Sequence, residues 1–279
     1  FPQDPLESLI TADYEAVLAD ERVRVVVETI GGTGAAFAFS KQALASGRHV
    51  VTSNKELVAE HGPELLELAA SHGVRYLFEA SVGGGIPIIH PMRHCLAANE
   101  IHTVAGILNG TTNYILTRME QNGMSFSSAL SEAQAHGFAE QRPEADVEGL
   151  DACRKLAILS SLAFEAAVPW RAIHTEGITG VDGAGIETAA KAGAKVKLFA
   201  RASRMADGRI AASVQPVALS LTHPVCCASG VYNAIAIEGD AIGTAMFFGP
   251  GAGAMPTASA VVSDVLECLA SEDSLPRMV

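Results

Sequence analysis

Within residues 1–80, apolar and polar positions repeat in an order typical of a parallel α/β sheet. β-Branched runs at Val23–Glu28, His49–Thr52 and Val74–Glu79 predict three strands spaced about 25 residues apart. An Ala- and Phe-rich segment predicts a helix between the first two strands, and a second helix is expected to begin near Pro63. Strands that alternate with helices indicate right-handed crossovers within a parallel sheet.

The usual opening of a dinucleotide-binding sheet is not found before these strands. Such a sheet normally starts with a strand, a GxGxxG turn and a helix, followed about 20 residues later by an acidic ribose ligand. Nothing of this kind precedes Val23, and the chain begins with Phe1 rather than Met. We therefore expect the sequence to lack the first part of a nucleotide-binding domain.

A glycine-rich segment, Ser81–Pro91, separates the first pattern from a mixed one. The helices predicted beyond it are Ser127–His136, Asp146–Phe164 and Ile186–Ala192. The predicted strands are Thr103–Leu108, Val196–Arg201, Ile210–Pro216, Val231–Glu238 and Ala241–Phe248, with a hairpin turn at 238–240. A glycine loop then opens a last helix, and residues 271–279 are predicted to form a frayed tail.

These elements predict an α/β fold with two lobes. The first lobe, residues 1–80, contains a partial Rossmann-type parallel sheet. The second, an α+β lobe with a mixed sheet, comprises residues 81–250.

Composition narrows the possible partners. The chain is 49% hydrophobic, yet no uncharged apolar run approaches the roughly 20 residues of a membrane helix, so we expect a soluble protein. A net charge of -12 would repel nucleic-acid phosphates and anionic lipid head groups, which excludes both as preferred partners and favours a small molecule. The five cysteines form no CxxC pair, and their odd number argues against a disulfide framework. Reduced thiols in a cytoplasmic protein are the simplest interpretation.

Asp151 and Lys155 form the most informative pair in the sequence. Charges four residues apart on a helix are usually a solvated surface ion pair. Here, however, the same helical stripe continues to Ile158 and Leu162, so the two charges share a face with apolar residues. The pair is therefore expected to be buried or to line a cleft, where desolvation would let a lysine shuttle a proton.

The segment around this pair, Gly137–Phe164, resembles the signature of homoserine dehydrogenases. The resemblance implies that Gly137, Glu140 and Asp151 bind substrate and that Lys155 is the catalytic lysine. The family commonly has an acidic residue between the glutamate and the proline, whereas this chain has Gln and Arg at positions 141 and 142.

Other stretches resemble the same family in the same order, from about residue 23 to residue 270. VVTSNKELVAEHG resembles its strand-end motif, which implies that Ser53, Asn54 and Lys55 contact the cofactor and that Lys55 also assists catalysis. FFGPGAGAMPTASAVVSD resembles the return to the nucleotide lobe, which places Gly251 close to the cofactor. By itself, GPGAG is a weak signal because its spacing is not GxGxxG.

FEASVGGGIPII resembles the segment that binds a monovalent cation, Na⁺ or K⁺, through backbone oxygens. The residues implied as ligands are Glu79, Val82, Gly84 and Ile86. GILNGTTNYIL, residues 106–116, resembles the segment near the substrate pocket. Its local pattern predicts a strand, an Asn-Gly turn and a Thr-capped helix.

The resemblance implies an NADP- or NAD-dependent enzyme that interconverts L-aspartate 4-semialdehyde and L-homoserine in threonine and methionine biosynthesis. It also implies that residues 1–80 and 251–272 form a nucleotide-binding lobe and that residues 81–250 bind substrate and mediate dimerisation. The expected assembly is a homodimer or a higher homo-oligomer. One alternative is a catalytically weak remnant that binds substrate or a partner but not the cofactor, because the phosphate-binding turn is missing.

A second alternative is another reductase of the same pathway, such as aspartate-semialdehyde dehydrogenase. Its chemistry requires a nucleophilic cysteine. Cys153 points about 160° away from Asp151 around the helix, which makes it a poor candidate.

Overall fold

The computed structural model describes residues 7–270, which form two sheets of different kinds. The predicted tail at 271–279, and the ends of the predicted nucleotide-binding lobe at 1–6 and 271–272, lie outside the described residues. A three-stranded parallel sheet comes first in the chain, and a six-stranded mixed sheet follows. The predicted α/β class with two distinct sheets is confirmed.

The parallel sheet has the order β1-β2-β3. Its strands are β1 (Val25–Glu28), β2 (His49–Thr52) and β3 (Tyr76–Leu77). The third strand is shorter than predicted, because after Phe78 the chain enters a 3₁₀ turn, Glu79–Ser81. Val50 and Val51 of the central strand are fully buried, as expected of a sheet covered on both faces.

The mixed sheet has the order β5-β7-β6-β4-β8-β9. Its strands are β4 (Ile101–Ile107), β5 (His174–Thr175), β6 (Ala194–Arg204), β7 (Ile210–Ser220), β8 (Tyr232–Gly239) and β9 (Gly243–Pro250). Neighbouring strands are antiparallel except for β5 and β7, which are parallel. The short strand β5 was not predicted, since two residues are too few to show an alternation of apolar and polar positions.

Ten α-helices surround the two sheets within residues 7–270. They are α1 (Tyr14–Ala19), α2 (Gly34–Ala45), α3 (Lys55–Ser71), α4 (Ile89–His94), α5 (Gly110–Asn122), α6 (Phe126–Ala135), α7 (Glu144–Val147), α8 (Leu150–Ala163), α9 (Gly183–Lys191) and α10 (Ala254–Leu269). Among these described residues, no helix combines the length and apolar character that crossing a membrane would require.

The prediction that the second helix begins near Pro63 is wrong. The helix begins at Lys55, because the Asn54 side chain accepts a hydrogen bond from the Leu57 amide and so caps its first turn. Pro63 lies inside α3, where it removes one helical hydrogen bond. The burial of Leu57 and Leu65 helps to keep the helix continuous across it.

The single helix predicted over Asp146–Phe164 is two helices, α7 and α8. The break falls at Gly149, whose φ of 80° lies in the left-handed region that favours glycine. A similar local difference occurs before α5, where Asn109 caps the helix through the Thr112 amide, in place of the predicted threonine cap. In both cases a turn residue, rather than the periodicity of apolar residues, determines where the helix starts.

Helix α8 connects the two sheets. It packs against α3 on one side and against β4 and β6 on the other. Leu156 and Leu159 on this helix are fully buried. The helix α10 returns from β9 to the parallel sheet, where Cys268 packs against Val51 and Leu77. The carboxyl end of β2 lies close to the start of α8, because Lys55, three residues after β2, pairs with Asp151.

Candidate active site

The carboxyl ends of β1 and β2 are joined by a buried hydrogen-bond network. The Glu28 carboxylate accepts from the Ile30 amide at 2.6 Å and from Thr52 Oγ1 at 2.6 Å. Thr52 Oγ1 in turn accepts from the Asn54 amide at 2.9 Å, and Asn54 Nδ2 donates to the Gly32 carbonyl at 2.6 Å. This network shapes both strand-to-helix turns. Glu28 was not identified from the sequence, because a single carboxylate at a strand end has no distinctive spacing.

Asn54 places Lys55 at the first position of α3, facing α8. Lys55 Nζ lies 2.9 Å from Asp151 Oδ1, and its side chain remains 40% exposed. Asp151 Oδ2 lies 2.8 Å from Lys155 Nζ, and these two side chains are 5% and 10% exposed. The prediction that the Asp151–Lys155 pair is buried is therefore confirmed. One carboxylate pairs with two lysines from different helices.

Lys155 Nζ also donates to the Leu108 carbonyl at the end of β4, at 3.0 Å. An ammonium group has three N–H donors. Asp151 and Leu108 occupy two of them, which leaves one donor for a bound molecule. Lys155 is thus held in one orientation with a single free hydrogen-bonding direction.

Asn109 is a site residue that sequence analysis missed. Its Oδ1 caps α5 through the Thr112 amide at 2.8 Å. Its Nδ2 donates to Asp151 Oδ2 at 2.8 Å and to Asp146 Oδ1 at 2.7 Å. Read from the sequence, the Asn-Gly pair indicated only a turn, because the partners of its side chain are about 40 residues away in the chain.

Charges and burial oppose each other at this cluster. Burial raises the pKa of the Asp151 carboxyl, but the charges of Lys155 and Lys55 outweigh it and hold that pKa well below its usual range. The charge of Asp151 in turn raises the pKa of Lys55. Burial, together with the neighbouring Asp151 charge, raises the pKa of Asp146. The core of the cluster therefore contains an ionised aspartate between two lysines.

The structure does not bring Glu140 into this cluster. Its side chain is exposed and makes no hydrogen bond or ion pair with any of residues 7–270. Gly137, with a φ of 72°, ends the turn after α6. Thr111 Oγ1 donates to the Phe138 carbonyl at 2.7 Å, so the loop that carries both residues is attached to the first turn of α5. Their predicted roles in substrate binding stay predictions.

Gly251 lies where the chain leaves the mixed sheet, in contact with two neighbours. A Cβ at this position would overlap the Asn233 amide, and a Cβ at Gly84 would lie 2.9 Å from the Gly251 carbonyl oxygen. The amide atoms of Asn233 are buried and have no partner among the described residues. Ser53, for which cofactor contact was predicted, is half-buried between β2 and α3.

The side chain of Glu79 has a role that the sequence did not indicate. Its carboxylate accepts the amides of Ile88, Ile89 and His90 at 2.6–2.9 Å, at the start of α4. The Glu79 amide donates to Asp264 Oδ2 at 2.9 Å, and burial raises the pKa of Asp264 to about 7.

Among the described residues, no donor reaches the main-chain oxygens of three buried residues of the following loop. These residues are Val82, Gly84 and Ile86.

Cys153 is not placed for nucleophilic chemistry. Its side chain is buried and donates to the Trp170 carbonyl at 3.2 Å. Burial raises the pKa of its thiol, so the reactive thiolate is disfavoured. The alternative function that requires a cysteine nucleophile has no support at this position.

Two sequence-family models match the chain. One, described as homoserine dehydrogenase, covers residues 87–266, and the other, described as the NAD binding domain of homoserine dehydrogenase, covers residues 5–79. The homoserine dehydrogenase of Synechocystis sp. is 44% identical over 280 residues, which cover 97% of this chain and 64% of that relative. The chain spans about three fifths of the length of the curated relatives it matches.

Solved structures give the same result. A homoserine dehydrogenase from Thiobacillus denitrificans superposes with a TM-score of 0.89 at 40% identity, covering 95% of this chain and 63% of that one. A hyperthermophilic archaeal homoserine dehydrogenase mutant in complex with NADPH has a TM-score of 0.81 at 30% identity, covering 93% of this chain and 76% of that one. By sequence and by fold, the chain belongs to the homoserine dehydrogenase family.

Proposed function

We propose that this protein catalyses the NAD(P)-dependent interconversion of L-aspartate 4-semialdehyde and L-homoserine. The observation that carries the proposal is the Lys55–Asp151–Lys155 cluster, in which two lysines from different helices pair with one buried carboxylate. We assign residues 1–80 and 251–272 to nucleotide binding and residues 81–250 to substrate binding and self-association. The family membership supports this division.

A nicotinamide cofactor is proposed to bind at the carboxyl ends of β1 and β2. Nucleotides bind at this edge of parallel α/β sheets, and the family model for residues 5–79 describes an NAD binding domain. Ser53, Asn54, Lys55 and Gly251 are the residues that would hold it. The orphaned amide of Asn233 beside Gly251 fits a polar ligand there. When bound, the nicotinamide accepts hydride from the alcohol or supplies it to the aldehyde.

The protein's own residues are proposed to bind the substrate and move the proton. The one free donor of Lys155 points to it as the acid or base at the reacting oxygen of the substrate. Lys55 would orient that oxygen and assist the proton relay. Asp151 holds both lysines and would contact the substrate, and Glu140, with the Gly137 turn, would bind the ammonium group of the amino acid through charge-assisted hydrogen bonds.

A monovalent cation, Na⁺ or K⁺, is proposed to bind at the loop that contains Glu79, Val82, Gly84 and Ile86. Buried carbonyl oxygens normally have a donor, and the oxygens of the last three residues have none in the described part of the chain. Hard cations prefer such oxygens. Because the Glu79 carboxylate is occupied by three amides, its main-chain oxygen is the group expected to face the ion.

We further propose that the protein is a homo-oligomer in the cytoplasm. Tyr232, Met246 and Phe248 on β8 and β9 are 43–50% exposed, and the Tyr232 and Phe248 rings stack at 5.2 Å. Large exposed apolar groups on an edge hairpin support association through this sheet. All five cysteines are free, which supports a reducing compartment.

The test of the proposed activity is a steady-state assay of the purified chain. Aspartate semialdehyde and NADPH or NADH are supplied, and nicotinamide absorbance is followed with and without Na⁺ or K⁺. We expect turnover by the parent chain and no measurable turnover by the Lys155→Met, Lys55→Met double variant. Cofactor binding without turnover, in a folded chain supplied with the cation, would contradict the proposal.

A further inference from the structure

Two histidines on α4 and a glutamate on α10 lie close together, and none of them belongs to the lysine cluster. His90 and His94 are one turn apart on α4, with ring centroids 4.2 Å apart. Glu267 comes from α10, and its Oε2 lies 3.0 Å from His90 Nδ1. One ligand atom from each of the three residues lies within 4.8 Å of the others. Nothing in the proposed reaction uses these side chains.

We propose that His90, His94 and Glu267 form a binding site for a divalent transition metal, specifically Zn²⁺. Two imidazoles and a carboxylate are a ligand set that Zn²⁺ uses in proteins, with a fourth position left for water. Ligand atoms around a tetrahedral Zn²⁺ are roughly 3.3 Å apart, given bond lengths of about 2.0–2.1 Å. The His90–Glu267 pair is already close to that separation, so a modest rotation of the exposed His94 side chain completes the set.

The backbone that carries these ligands is held in place by one buried residue. The Glu79 carboxylate accepts the His90 amide at 2.6 Å, at the start of α4. The Glu79 amide donates to Asp264 Oδ2 at 2.9 Å, one helical turn before Glu267 on α10. Glu79 thus positions both ligand-bearing helices. A site whose ligand-bearing backbone is already in place loses less entropy when the metal binds.

The local charge also suits a cation. Imidazole is a neutral ligand when it is unprotonated, and Glu267 supplies a negative charge. Arg93 lines the small cavity beside this cluster, but Glu79 and Asp264 line the same cavity. The protein as a whole carries a net charge of -12, which attracts rather than repels cations.

A metal at this position would connect α4, which follows the glycine-rich loop, with α10, which returns to the parallel sheet. Its expected effect is therefore stabilisation of the contact between these two helices. Metal that binds the folded state but not the unfolded chain raises the midpoint of thermal unfolding as its concentration increases. The lysine cluster is not part of the site, so a role in the chemical step is not required.

The experiment is a calorimetric titration of Zn²⁺ into the full chain after chelator treatment. The parent is compared with His94→Gln and Glu267→Gln, both of which keep Glu79 unchanged. We expect one Zn²⁺ per chain in the parent and binding weakened by more than about tenfold in each variant, since loss of a ligand costs at least as much as loss of an outer partner. The Zn²⁺-dependent rise in the midpoint of thermal unfolding should be larger in the parent than in these two ligand variants.

Two controls make the result specific. His102→Gln removes an exposed histidine on β4 and should bind Zn²⁺ like the parent. The double variant Cys95→Ser, Cys227→Ser removes the two exposed thiols, which could bind Zn²⁺ themselves, and should also retain binding. Binding that survives both ligand variants, or that disappears only with the thiols, overturns the proposal. So does absence of binding in the parent, which would leave only a hydrogen bond between His90 and Glu267.

Discussion

Lys55 Nζ and Asp151 Oδ1 are 2.9 Å apart, and this ion pair joins the first residue of α3 to the second residue of α8. Helix α3 connects β2 to β3 of the parallel sheet, whereas α8 packs against β4 and β6 of the mixed sheet. The pair therefore lies at the junction between the segment proposed to bind nucleotide and the segment proposed to bind substrate. The proposed function requires cofactor and substrate to meet at this junction, because small misplacements of reacting groups are costly.

Replacing Lys155 with Met tests the proton-transfer role. We expect kcat to fall by about 10²- to 10⁴-fold, the usual contribution of a positioned acid or base. The fold should persist, because Asp151 keeps its contacts with Lys55 and Asn109. The matched control is Lys191→Met, which removes an exposed lysine paired with Glu187 on α9. Steady-state kinetics and thermal unfolding are measured for both variants. A kcat of Lys155→Met equal to that of Lys191→Met would show that the proposed role is wrong.

Asn109→Asp separates helix capping from the positioning of Asp151. The new carboxylate still accepts the Thr112 amide, so α5 remains capped. It no longer donates to Asp146 and Asp151, and three acidic groups then face one another. We expect kcat/KM to fall by more than about tenfold, with helical content by circular dichroism close to that of the parent. Unchanged kcat/KM would mean that Asn109 serves only as a cap.

Gly251→Ala tests the close packing at the junction of β9 and α10. The added methyl would overlap the Asn233 amide, so we expect a loss of about 1–3 kcal/mol in the free energy of unfolding. Gly180→Ala is the control, because nothing lies within 4 Å of a Cβ there. Combining Gly251→Ala with Asn233→Ala should recover part of the loss in a double-mutant cycle measured by urea denaturation. Additive losses would contradict the predicted overlap.

Lys197 predicts a pH dependence of stability. It is almost fully buried in β6, and its Nζ donates to Asn113 Oδ1 at 2.8 Å and to the Ala228 carbonyl at 2.7 Å. Burial lowers its pKa to about 8, from a usual value of about 10.4. Between these values the unfolded chain binds more protons than the folded one, so this lysine makes the folded state more stable as pH rises from 8 towards 10.

The comparison that isolates this effect is between the parent and Lys197→Met. Urea denaturation across pH 7 to 10 should show the unfolding free energy of the parent increasing relative to the variant, by up to about 3 kcal/mol. At about pH 7 and below the difference should be constant, because Lys197 is then protonated in both states. A difference that does not change with pH would mean that the folded-state pKa is not lowered.

Much of the architecture follows from local signals in the sequence. The bounds of β2, which contains Val50, were predicted to the residue. A short run of β-branched residues is typical of a strand that is buried on both faces of its sheet. The burial of Asp151 and Lys155 was predicted from their stripe with Ile158, because helical periodicity is a local property. Recognition of the family depended on several ordered motifs, each weak by itself.

Other features were decided only by the tertiary structure. The sequence alone determined a parallel sheet, a mixed sheet and a helix with an inward-facing charged pair, since each is set by residues a few positions apart. It could not show that Lys55 reaches the second oxygen of Asp151, or that Asn109 donates to two aspartates. Those contacts join segments about 40 to 100 residues apart. They form only because of how α3, α5 and α8 pack between the sheets, and the local periodicity of apolar residues does not determine that packing.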